Sequence, residues 1–425
     1  LHVRSRRQRQ MCIRDRGTDG SLSQIERPVY SSQFGPVVQW PGRLDWDAQA
    51  AYSVRDANLE NSRVLQQWYQ INRADSLAAL KGSVEQLQGI PWVNTLAVDE
   101  GGRALYLNQS VVPYVDQQLL DTCSNPQAQG RLVVLDGSRS ACQWKVDAQA
   151  AQPGIFPARL LPSLEREDFV QNSNDPAWMA NPAQPLTGYS PLVSRNDQPL
   201  GMRGRFALQR LQGKARLGVD ELQRMVTDDE VYLASLVLPD LLQWCKGASA
   251  DVQAVCSSLT AWNGKADLDS GMGLVHFQNL FNALAEHPES WRVAFNPADP
   301  QHTPRGLAVE QAAVSRLVHQ AALASLKQVS ESGVAGEARC GQVQQALDGT
   351  PVPGGPQALG VYNAIYSVPH GQGKRLVVSG TSYLQLVSFT DKGPDARGLL
   401  AFSQSSEKAS ACLLYTSPSP RDATL

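Results

Sequence analysis

The strongest constraint on the fold of this 425-residue chain is the order of its segments: strand-type runs at both ends bracket a helical middle. Val29 to Val38 reads as a strand interrupted by Gly35-Pro36, and Trp92 to Leu107 as two strands around the turn Asp99-Glu100-Gly101-Gly102. Toward the other end, Leu376–Val378, Tyr383–Phe389 and Gly398–Phe402 read as strands. Helical spacing places Val64, Leu65, Trp68 and Ile71 on one face within 58–71, and Leu77, Leu80, Val84 and Leu87 on another after an N-cap at Asp75. Residues 109–168 are rich in turn formers and show little periodicity; Trp144 and Phe156 there read as core. A helix is expected from Phe206. Thr227-Asp228-Asp229-Glu230 has the form of a capping box opening a helix through Val231, Ala234 and Leu238, with Pro239 starting a second piece. Val309–Gln328 reads as a long helix. There are no internal repeats, and the distribution predicts an α+β fold.

The two ends read as foreign to this pattern. Met11-Cys12-Ile13-Arg14-Asp15-Arg16 can be encoded by ATGTGTATAAGAGACAG, and Cys412-Leu413-Leu414-Tyr415-Thr416-Ser417 by TGTCTCTTATACACATCT. The second contains the reverse complement of almost all of the first, as a transposase adapter from a sequencing library would when read through as protein. Residues 1–17 and 412–425 are therefore expected to be adapter-derived and to pack against nothing, leaving 18–411 as the protein body. Residues 1–17 hold six arginines and one aspartate, and 412–425 one of each, so the body carries 31 basic and 38 acidic residues, a net charge of -7. The apparent basic arm disappears, and no electrostatic footprint for nucleic acid remains.

No run of 18 apolar residues occurs, so no membrane-spanning segment is expected. Cys123, Cys142, Cys245, Cys256 and Cys340 show no C-x-x-C and no histidine at zinc spacing, so no metal site is predicted. Cys123 with Cys142 and Cys245 with Cys256 are short-range disulfide candidates; buried free thiols are the alternative. His276, His287, His302, His319 and His370 are dispersed and read as structural or exposed rather than catalytic, with His370, before Gly371 in a loop, the best placed exception.

One stretch carries chemistry: Gln171-Asn172-Ser173-Asn174-Asp175-Pro176-Ala177-Trp178. Alone it is a turn signal, because Asn and Asp bond their own backbone. A neutral amide on a stiff turn also suits an oxyanion hole. Its company matters: Tyr30-Ser31-Ser32-Gln33-Phe34-Gly35-Pro36 and Trp92-Val93-Asn94-Thr95 precede it, and Met202-Arg203-Gly204-Arg205 and Trp262-Asn263-Gly264-Lys265-Ala266-Asp267 follow. In this order, from about Arg27 to about Ser406, the motifs resemble the large (β) subunit of the penicillin acylase family of N-terminal-nucleophile (Ntn) amidohydrolases, with the nearest look to its acyl-homoserine lactone acylases.

The resemblance implies a four-layer αββα sandwich of antiparallel sheets, incomplete here at both ends, and an exported, periplasmic, autoproteolytically processed precursor whose α subunit is a missing partner. It implies cleavage of an acylated amide by an N-terminal serine that lies upstream of this chain, so the chain as given is expected to be inactive. Asn174 matches the family's oxyanion-hole asparagine. Arg203 matches the arginine that orients it and the nucleophile, with Arg205 as the competing alignment, itself read as an exposed residue at a helix start. No cofactor is implied; some members hold calcium, but no acidic cluster here has ligand spacing. The absence of G-x-S-x-G, H-E-x-x-H and P-loop motifs disfavours other hydrolase mechanisms. The leading expectation is a quorum-signal acylase acting on N-acyl-homoserine lactones. A penicillin, cephalosporin or lipopeptide acylase is the alternative within the family, and a non-catalytic binding relative is the alternative of another class.

Overall fold

A computed structural model of the chain describes residues 9–16, 22–125, 132–214 and 216–400, with only the backbone described before residue 28 and at residue 400. They fall into two compact units. The first draws on Leu1–Val170, Pro176–Ala180 and Gln184–Asn196, and the second on Gln171–Asp175, Asn181–Ala183 and Asp197–Leu425.

The first unit opens with strands β1 (Arg9–Arg16) and β2 (Leu22–Val29), paired antiparallel. The expectation that residues 1–17 pack against nothing thus fails over Arg9–Arg16: backbone groups satisfy one another across a hairpin whatever the origin of the sequence. Residues 1–8, 17 and 412–425 lie outside the described residues. The segment read as one interrupted strand is instead a tight hairpin, β3 (Ser31–Ser32) against β4 (Gly35–Val38), extended by β5 (Tyr52–Ser53). Gly35 makes this possible. Its φ is 131°, and a Cβ there would lie 2.2 Å from the Val54 carbonyl oxygen.

Helix α1 (Val64–Ile71) is shorter than the expected 58–71, because turns occupy its first part. Helix α2 (Leu77–Leu87) is capped by Ser76, not Asp75: the Ser76 hydroxyl accepts from the Ala79 N–H at 3.2 Å. The antiparallel sheet β6 (Thr95–Val98), β7 (Ala104–Leu107), β8 (Ser163–Arg166) follows, with β7 central and all four of its residues buried. Strand alternation sends Leu105 and Leu107 to a cluster with Leu77, Val84 and Ile90, and Tyr106 to another with Leu164, Ala177 and Leu186. Helix α3 (Gln117–Cys123) is tied by a Cys123–Cys142 disulfide, Cα atoms 5.5 Å apart. Phe156 is buried; Trp144 is half-buried beneath the Arg55 guanidinium, 3.9 Å from the ring centroid.

The second unit is built on helices α4 (Met202–Leu211), α5 (Val219–Thr227), α6 (Tyr232–Cys245), α7 (Gln253–Ala261) and α8 (Met272–Leu284). The short antiparallel pair β9 (Trp291–Val293) and β10 (Arg305–Leu307) and the long helix α9 (Ala312–Ser332) follow. One apolar core gathers Val237 and Leu241 of α6, Val255 and Leu259 of α7, Phe277 and Leu280 of α8, and Val314 and Val318 of α9. Burial of such side chains is the dominant favourable contribution to folding. A disulfide joins Cys245 to Cys256 with Cα atoms 5.5 Å apart, while Cys340 is a free, half-buried thiol whose pKa burial raises to about 11.

Two expectations about α6 are corrected. Thr227 ends α5, with its hydroxyl donating back to the Gln223 carbonyl, so the capping-box pattern opens no helix. Glu230 pairs with Arg210 instead. Pro239 lies inside the continuous α6 rather than dividing it. The unit closes with α10 (Cys340–Val343), β11 (Gln344–Gln345), β12 (Ile365–Gly371) and β13 (Lys374–Gly380), then the hairpin β14 (Tyr383–Thr390) and β15 (Gly393–Leu400). β12 pairs antiparallel with β13, and β11 parallel with it. Helices and mainly antiparallel sheets make the fold α+β; each sheet of described residues has two or three strands.

Candidate functional site

The Asn-rich stretch and the start of α4 meet in the second unit. Asn172 braces the turn with both ends of its amide: its Oδ1 accepts from the Asn174 N–H at 2.9 Å, and its Nδ2 donates to the Asp175 carbonyl at 2.8 Å. The brace holds Asn174 in the left-handed region, φ 66°, which asparagine tolerates better than most residues. The turn reading of the stretch holds. It is a turn, and the turn presents an exposed amide.

Arg203, in the first turn of α4, reaches that amide. Its Nη2 donates to Asn174 Oδ1 at 2.7 Å, to the Ser173 carbonyl at 3.1 Å and to Gln357 Oε1 at 3.1 Å. A guanidinium only donates, so the contact fixes which end of the Asn174 amide is oxygen. The NH2 end is left to donate to an incoming oxygen. Burial works against the charge of Arg203, and the nearby Asp175 carboxylate and Tyr362 hydroxyl work in its favour.

Arg205 sits two residues further along α4, on the opposite side of the helix, and is fully buried. Its Nε donates to the Gln301 carbonyl and its Nη1 to the Pro304 carbonyl, each at 2.8 Å. The reading of Arg205 as an exposed helix-start residue is therefore corrected, and nothing brings it to Asn174. Two positions along a helix turn a side chain by about 200°, which here means from the turn to the core.

The histidines do not join this site. The His276 ring is buried, its Nδ1 2.8 Å from Ser325 Oγ, and the His319 Nε2 lies 3.1 Å from Ser249 Oγ. His370 is exposed on β12 rather than in a loop. Among the described residues, no three His, Cys, Asp or Glu side chains gather as metal ligands would, and no helix is long and apolar enough to cross a membrane. The sequence reading named Asn172 and Asp175 as turn residues only, and missed Gln357 and the contact of Asp175 with Gly201. Nothing local could find Gln357, which lies 154 residues from Arg203.

With this geometry in place, comparison with known proteins decides the family. The penicillin amidase family profile matches residues 3–413. The chain belongs to the penicillin amidase family. Among curated members it is 98% identical over 396 residues to the acyl-homoserine lactone acylase PvdQ of Pseudomonas putida, covering 93% of this chain and 51% of that protein. It is 59% identical over 408 residues to the PvdQ of Pseudomonas fluorescens, covering 94% of this chain and 52% of that protein. It is 31% identical over 415 residues to the aculeacin-A acylase of Actinoplanes utahensis, covering 90% of this chain and 51% of that protein. The chain thus spans about half the length of the curated relatives it matches. Among solved structures, a thermostable penicillin G acylase from Alcaligenes faecalis matches with a TM-score of 0.55 over 99% of this chain and 76% of that one. At 15% identity this match speaks to the penicillin amidase fold alone.

Proposed function

We propose that this chain is part of an exported amidohydrolase that cleaves the amide bond of N-acyl-homoserine lactones. The observation that carries the reading is the Arg203–Asn174 contact, which leaves an oriented amide N–H2 free to donate. In this reading a serine at the N-terminus of the mature subunit, outside this chain, attacks the substrate carbonyl, and its own α-amine serves as base. The carbonyl oxygen becomes an alkoxide, and Asn174 donates to it without supplying a proton. Arg203 holds the amide in place beforehand, so little reorganisation is needed as charge develops. The acyl-homoserine lactone substrate is favoured by the two PvdQ relatives; the relative named aculeacin-A acylase keeps a different acylase of the same family, for penicillin, cephalosporin or lipopeptide, as the second reading.

The same reading carries an α subunit cut from a common precursor, a periplasmic location and a four-layer αββα sandwich completed by strands outside this chain. Two disulfides suit an oxidising compartment.

The test is Asn174→Ala in the complete enzyme, assayed on protein shown by gel to be processed. Turnover of an acyl-homoserine lactone should fall about 10²–10³-fold, roughly 3–4 kcal/mol of transition-state stabilisation. KM should change less, because the donor matters most once the alkoxide forms. Near-normal turnover in the processed variant would show that the stretch is a turn and nothing more.

A further inference from the structure

We propose that Asp175 is the positioning residue of this site, its carboxylate clamping the Asn174 turn onto the first turn of α4 and thereby setting the Arg203–Asn174 geometry. The proposal rests on the oxyanion reading of Asn174.

Gly201 stands at the cap position before α4 and has no side chain to cap the helix. The first backbone N–H groups of a helix lack intrahelical partners. Asp175 supplies one from across the chain: its Oδ1 accepts from the Gly201 N–H at 2.8 Å. Its Oδ2 is buried against the same turn without a hydrogen-bond partner. Two glycines make room for the carboxylate. A Cβ at Gly201 would lie 2.7 Å from Oδ1, and one at Gly204 would lie 2.0 Å from Oδ2. The carboxylate thus packs against two positions without side chains, Gly201 at the cap and Gly204 in the first turn, with Arg203 between them.

Charge works in the same direction. A carboxylate at a helix N-terminus faces the positive end of the helix dipole. Asp175 and Arg203 also attract each other electrostatically, although burial pushes the Asp175 pKa upward. Because Asp175 follows Asn174 directly, fixing its carboxylate on α4 fixes the spacing between the amide and the guanidinium two residues after Gly201.

The experiment uses the complete processed enzyme and reads kcat per titrated active site, alongside KM, for Asp175→Ala, Asp175→Asn, Gly204→Ala and Asn174→Ala. Asp175→Ala should lower kcat about 100-fold, the scale expected when a catalytic group shifts by about an ångström. KM should stay within about threefold, since ground-state binding is not what the clamp sets. Asp175→Asn keeps an acceptor of the same shape for Gly201 and should recover most of the loss. Gly204→Ala should reproduce the loss by pushing the carboxylate aside, although alanine favours helix more than glycine does. It also decides the matter if Asp175→Ala fails to mature. A purely structural role would lower the yield of active sites and leave kcat per site unchanged, which would overturn the proposal. Equal losses in Asp175→Ala and Asp175→Asn would overturn it too, as would an unaffected Gly204→Ala. If Asn174→Ala keeps its turnover, the oxyanion reading falls and the clamp with it. If Asn174→Ala loses turnover and Asp175→Ala does not, only the clamp falls.

Discussion

Single residues in this chain show how far side-chain chemistry is set by neighbours. Asp229 is buried, and its pKa is pushed from an ordinary 3.8 up to about 7, first by burial and further by the Asp267 charge, against a hydrogen bond from Asn363. Between about pH 4 and pH 7 the folded protein therefore holds a proton that the unfolded chain has released. The contribution is fully present below the unfolded pKa and is lost as pH rises through the folded one. Asp229→Asn should leave the melting temperature near that of the parent at pH 4 and raise it at pH 8, flattening the pH dependence in a thermal melt. The pairing of Asn174 with Arg203 was legible in the sequence because ordered motifs on either side gave them a family context. Asp175 was not, since its role depends on where α4 begins and on two glycines 26 and 29 positions further on.

At the level of elements, local signals succeeded where nothing competed with them. The hairpin β6–β7 stands where the Asp99–Gly102 turn predicted it, and the long helix α9 is shifted by only a few residues from its expected span. The Thr227 box failed because α5 already occupies that turn: a residue finishing one helix cannot also stand extended at the start of the next. Pro239 failed as a divider because the packing of Val237 and Leu241 on both sides of it holds α6 together. The Cys245–Cys256 disulfide ties α6 to α7, two helices that share this core. Replacing both cysteines with serine should cost about 3 kcal/mol, the scale for a short closed loop, read as a lower denaturation midpoint than that of the unreduced parent. An unchanged midpoint would mean that the core alone fixes the pair.

For the whole molecule, the α+β class was legible because helix and strand periodicities occupy separate stretches. The assembly of the site was not, since it brings together segments from around 174, 203 and 357. We propose that residues 1–17 and 412–425 are adapter-derived, because the codings available to the two ends are nearly reverse complements of each other. Amplifying the locus from source DNA should give a reading frame without these codons, and finding them in frame would refute the assignment.

The strand order β6-β7-β8 has a practical consequence. β6 lies at the edge of its sheet, and Trp92, Leu96 and Val98 on and beside it are exposed. Among the described residues no strand covers that edge, and an open edge bearing apolar side chains is a template on which another strand can pair. If the isolated chain self-associates at high concentration, this edge is the expected place, and a lysine facing outward from it should reduce the association seen by light scattering.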